Sequence, residues 1–91
     1  MKTTAAVIRA LQAVDRGEVV NTFTAKGNVF KAPRGVSPRV CRDLQLERWI
    51  EDCPGQKGGG AFASHFTQRL TAAGRAALSA AGQQQNEGGN G

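Results

Sequence analysis

The chain has no tyrosine, one histidine, two cysteines and no long uninterrupted apolar run. Each scarcity removes a class of function. A helix that crosses a bilayer needs about 18 or more apolar residues in succession, and no stretch here approaches that. The N-terminal residues show neither the apolar core nor the cleavage site of a secretory signal, so a cytoplasmic protein without a membrane partner is expected. Cysteines in such a chain stay reduced more often than they pair, which makes Cys41 and Cys53 small core residues before they are a disulfide. They stand twelve positions apart with His65 as the lone histidine, a pattern without the repeated short spacing of zinc sites, so no metal centre is expected.

Catalytic constellations are equally scarce. His65 alternates with Phe66 and is expected to face solvent or a groove, and general-base work would need a partner to orient it. Glu51 and Asp52 are adjacent, so in a strand they point to opposite faces and form no carboxylate pair. Neither an enzyme nor a cofactor is expected. The missing tyrosine, with few other aromatics, also disfavours a single-stranded or RNA partner, whose bases are held by stacking.

What the chain does have is positive charge, and it is unevenly placed. Its 91 residues carry a net charge of +5, and Lys26, Lys31, Arg34, Arg39 and Arg42 follow one another with no acid between them. A concentrated basic segment attracts polyanions, of which nucleic acid is the commonest. The last ten residues, GQQQNEGGNG, hold nothing apolar and are expected to form a disordered tail over 82–91, leaving residues 1–81 as one small domain. A domain of that size buries only about 60 % of its unfolded surface, enough for a modest core, and dimerisation would help it.

Periodicity supplies the elements. Residues 4–16 read as a helix with Val7, Leu11 and Val14 in one stripe beside Ile8, capped by Thr3 or Thr4 and ended by Gly17. Residues 18–32 change to a β-branched pattern around AKGN and read as a hairpin, with Gly27 and Asn28 able to take positive φ. Ser37 followed by Pro38 marks the start of a second helix that runs to about residue 48, its apolar face formed by Val40, Cys41 and Leu44, with Leu46 off the pattern. Trp49 and Ile50 fall away from that face and open a short strand. Phe62, Phe66 and Leu70 are four apart, a spacing that fits a strand or a helix. The strand reading is preferred, followed by Thr71 as cap of a last helix.

The segment DCPGQKGGGAFASHF poses a separate question. Gly58 to Ala63 formally match G-x-G-x-x-A, but the strand, helix and distant acid of a dinucleotide site do not fit this chain. Lys57 precedes the glycines and no Gly-Lys-Ser/Thr follows, which excludes a P-loop. Residues 54–60 therefore read as an exposed hairpin tip carrying Lys57.

The resulting order, together with the helix from Ser37, the pair Cys41 and Leu44, Trp49-Ile50 and the ending FTQRLTAAGRAAL, resembles a bacterial or phage winged helix-turn-helix protein. The ending is similar to the Leu-Thr-x-x-Gly-Arg close of many such regulators. One departure is evident: the helix that ordinarily precedes the recognition helix is missing or replaced by the 18–32 hairpin. In that respect the layout is similar to small toxins of toxin–antitoxin pairs. The resemblance implies an α+β fold, a small winged-helix-like domain with a β-hairpin wing, acting as a DNA-binding regulator. It implies that the helix from Ser37 lies in the major groove of double-stranded DNA, with Arg39 and Arg42 reading base edges and Gln45 one turn beyond. Lys31, Arg34, Ser37 and Lys57 would contact phosphates. A homodimer paired through the first helix is expected. The alternative expectation is a phage or mobile-element inhibitor, toxin-like or anti-CRISPR-like, whose basic surface engages a host protein.

Overall fold

A computed structural model of the chain describes residues 1–54 and 63–89, with the side chains of residues 63, 64 and 83–89 left aside. The elements run α1 (Ala5–Asp15), β1 (Val20–Thr24), β2 (Gly27–Lys31), α2 (Pro38–Leu46), β3 (Ile50–Asp52), β4 (Ala63–Leu70) and α3 (Ala72–Gly89). All four strands join one antiparallel sheet in the order β2-β1-β4-β3. The two expected hairpins are thus halves of a single sheet, joined where β1 pairs with β4. This is a small α+β fold. The ambiguous stretch is a strand, and the boundary expected at residues 81 and 82 falls within the span of α3.

Local chemistry explains the helix ends. Of the two candidate caps for α1, Thr4 serves, its hydroxyl accepting from Val7 N at 3.3 Å. At the other end Gly17, with φ 75°, donates to Val14 O while Glu18 N reaches Ala13 O, the paired bonds of a Schellman stop. Helix α2 starts where Ser37 and Pro38 place it, but Ser37 is exposed and its side chain makes no capping bond. Helix α2 closes with the same stop as α1, Arg48 N to Gln45 O and Trp49 N to Leu44 O. Here the left-handed position is held by Arg48 at φ 61°, the one non-glycine with positive φ among the described residues. The hairpin turn needs positive φ at Gly27 alone, not at Asn28. Left-handed backbone costs an ordinary residue about 1 kcal/mol, so Arg48→Gly is expected to raise unfolding stability by roughly 0.5–1 kcal/mol in denaturant titration. A loss of stability would show that the Arg48 side chain contributes more than its backbone costs.

The core lies between the helices and one face of the sheet. Helix α1 contributes Val7, Ala10, Leu11, Ala13 and Val14, α2 contributes Cys41 and Leu44, and the strands add Phe30, Ile50 and Leu70, preceded by Val19 before β1. The α1 stripe that suggested subunit pairing is therefore buried inside the chain itself. Register places Asn21, Phe30 and Phe66 side by side on the helix-facing side of the sheet, and Thr22, Val29 and His65 on the other. Asn21 and Gln68 are buried polar residues on the core side. Asn28 Nδ2 donates to Asn21 Oδ1 and Gln68 Nε2 to Asp52 Oδ1, while Asn21 Nδ2 and Gln68 Oε1 are left without partners. On the opposite face Arg69 Nε and Nη2 both reach Glu51 Oε2 at 2.6 Å. Glu51 and Asp52 thus do point to opposite sides.

The LTAAGR segment that carried the strongest resemblance has a structural task. Thr71 caps α3 by accepting from Gly74 N at 3.1 Å, donates its hydroxyl proton to Arg48 O at 2.7 Å, and donates its own N–H to Trp49 O at 3.0 Å. Gly74 lies directly against the Trp49 carbonyl, where a Cβ would collide with main-chain atoms. Helix α3 is thereby fastened to the turn that ends α2.

Candidate nucleic-acid interface

The basic run folds into one side of the molecule because it is continuous through β2, the following turn and the start of α2, and α2 packs on β2. Lys26 sits in the β1–β2 turn. Lys31 ends β2, and register puts it on the open face with Val29, away from the helices. Arg34 occupies the second position of a turn closed by Val36 N to Pro33 O at 3.1 Å, which Gly35 permits with φ 89°. Lys26, Lys31, Arg34, Ser37, Arg39 and Arg42 are all exposed. None of these five cations is in an ion pair among the described residues, whereas Arg16 is matched to Glu18 and Arg69 to Glu51.

Arg39 and Arg42 are the pair that the fold brings together. They line a cleft of ≈ 350 Å³ between Asn28, Val29 and Phe30 on β2 and Pro38 and Asp43 on α2. Arg42 Nη2 donates to Asn28 O at 3.2 Å, so this guanidinium ties the helix to the strand while retaining further N–H donors. Gln45 is half-buried and lies outside the cleft. Leu46 takes the place expected of Gln45: it lies four and seven residues after Arg42 and Arg39, on their face of α2, and is 74 % exposed. Lys57 and the glycine run, with Phe62, lie outside the described residues.

Sequence reasoning missed Asn28 and Asp43. Asp43 had a readable signal, four residues after Arg39 on one helix face. Asn28 had none, because its role depends on which strand α2 packs against. Two other groups bear on chemistry. Burial pushes the Cys41 thiol up to about 11, partly offset by a backbone hydrogen bond, so at neutral pH it stays protonated and a poor nucleophile. His65 Nδ1 lies 3.0 Å from Thr22 Oγ1 on the open sheet face, and both cysteines are free. No described helix is long and apolar enough to cross a membrane.

Comparison with protein-family models, with curated proteins and with solved structures finds no match to this chain.

Proposed function

We propose that the chain is a small DNA-binding regulator that contacts duplex DNA through the side of the molecule formed by β2, the 33–36 turn and α2. What supports this is the placement of Lys26, Lys31, Arg34, Arg39 and Arg42 along one continuous segment, exposed and in no ion pair among the described residues. In the winged-helix form of the proposal, α2 enters the major groove, Arg39 and Arg42 reach base edges, and the β3–β4 connection carrying Lys57 acts as the wing. Arg34, Lys31 and Ser37 then meet phosphates, fixing register without reading sequence. A homodimer would present two such sides to one duplex, through a surface other than the buried stripe of α1.

Salt dependence tests the proposal directly. Each phosphate neutralised by a cation contributes about −0.9 to the slope of log affinity against log salt, so on random-sequence duplex, where all five cations meet phosphates, a slope of about −4.5 is expected. Affinity for random-sequence duplex is then expected to fall by roughly two to three orders of magnitude between 50 and 200 mM salt. Absence of binding at the lower salt would overturn the proposal. Selection from a random duplex pool then separates a regulator, which enriches a motif, from a non-specific binder.

A second reading, an inhibitor of a host protein from a phage or other mobile element, is favoured by one feature. Arg39 and Arg42 line a recess, with Arg42 already bonded to β2, rather than crowning a bare helix.

A further inference from the structure

Strand β2 lies at the edge of the sheet, and its free side forms a wall of the Arg39–Arg42 cleft. The two-residue turn at Ala25 and Lys26 makes Thr24 and Gly27 a hydrogen-bonded pair, and such pairs alternate along an antiparallel ladder. Thr22 with Val29, and Val20 with Lys31, therefore exchange main-chain bonds. Asn28 and Phe30 turn their N–H and C=O groups away from β1. The bond from Gln68 N to Val19 O on the opposite side of β1 fits the same alternation. Of the groups so exposed, the Asn28 carbonyl accepts from Arg42, while the N–H and C=O of Phe30 have no partner among the described residues.

We propose that this groove binds an extended acidic peptide segment of a partner protein, which adds to β2 as a further strand. One peptide residue opposite Phe30 would exchange two main-chain hydrogen bonds with it, as in other cases of strand addition. Alternate side chains of the peptide then point to different surroundings: one set to the helix side, where Pro38 and the guanidinium groups of Arg39 and Arg42 lie, the other to Val29 on the open face. Acidic side chains suit the first set because neither arginine is in an ion pair among the described residues. A nucleic-acid phosphate fits less well. It could use the arginines, but it has no donor for the Phe30 carbonyl.

This docking does not depend on DNA binding, since Lys26 and Arg34 lie outside the groove and the peptide requires neither. The test uses the full-length ¹⁵N-labelled chain and three blocked heptapeptides. The first alternates glutamate and valine, the second carries N-methyl groups on its glutamates, whose N–H groups would face β2, and the third replaces the glutamates by lysine. The first is expected to shift the amides of residues 28–31 and 39–43 and to slow hydrogen exchange at Phe30. The N-methylated version keeps the charge but cannot form the ladder, and it is expected to bind at least about tenfold more weakly, the loss of one to two hydrogen bonds. The lysine version is expected not to bind. Arg39→Ala, at an exposed position, is expected to weaken the first peptide about fivefold while leaving the other amides in place. No response at Phe30 with millimolar peptide, or equal affinity for the N-methylated version, overturns the proposal. Protection of the Phe30 amide by duplex DNA instead of the peptide would assign the groove to nucleic acid. Failure of DNA binding alone leaves the peptide site standing.

Discussion

Gly74→Ala is expected to lower unfolding stability by about 3 kcal/mol, although alanine is the better helix former by about 1 kcal/mol. The added Cβ would overlap the Trp49 carbonyl oxygen and stand 3.0 Å from its carbon, and neither is the end of a flexible side chain that could swing aside. Relief requires α3 to move off the turn at residues 48 and 49. That movement stretches the Thr71 bonds to Arg48 O and Trp49 O, and with them the cap on Gly74 N. For a domain of this size such a loss corresponds to a melting temperature lower by on the order of 15 °C. Gly82→Ala is the matched control, because nothing lies within 4 Å of a Cβ there. It is expected to be neutral or to stabilise by up to about 1 kcal/mol. If Gly74→Ala melts within a few degrees of the parent, the close approach of α3 to Trp49 is wrong.

The same glycine shows what the sequence could and could not say. Thr71 as a helix cap, Gly17 as a stop and Pro38 as a first helical residue are local devices, and they act where local reading places them. The need for glycine at position 74 is set by a residue 25 positions earlier, and no local pattern announces it. Strand partners were hidden for a related reason. The alternation in β1 and β4 is interrupted on the core side by Asn21 and Gln68, so neither strand reads as a clean apolar face. With the faces obscured, nothing in the segments indicates that β1 lies between β2 and β4. The basic run was legible as charge, but its conversion into a groove required knowing that α2 packs on β2. Gln45, expected one turn beyond Arg42 on the contact face, is half-buried, while Leu46, which stood off the apolar pattern, is the exposed neighbour on that face. The rotation of a short helix about its axis decides which of two neighbours is exposed.

Replacing both Arg39 and Arg42 by alanine is expected to remove sequence-specific DNA binding, the largest functional effect open to a pair of substitutions here. Each arginine that contacts a guanine through two hydrogen bonds is worth about 1–3 kcal/mol of discrimination, so the double variant should lose between roughly thirtyfold and roughly twenty thousandfold for a selected duplex. Stability should change little, since both side chains are exposed and the structure loses one surface hydrogen bond, from Arg42 to Asn28 O. Lys31, Arg34 and Lys26 remain, so binding to random duplex should persist with a shallower salt slope. Arg34→Ala supplies the contrast. On the exposed 33–36 turn it can meet phosphates and not bases, so it should weaken selected and random duplexes alike and reduce the slope by about one. The informative quantity is therefore the ratio of selected to random affinity. If that ratio survives in the double alanine variant, α2 does not read the bases. If it falls while binding to random duplex persists, the recess between β2 and α2 opens onto the groove, and Arg42 gives up its bond to Asn28 O when DNA is bound.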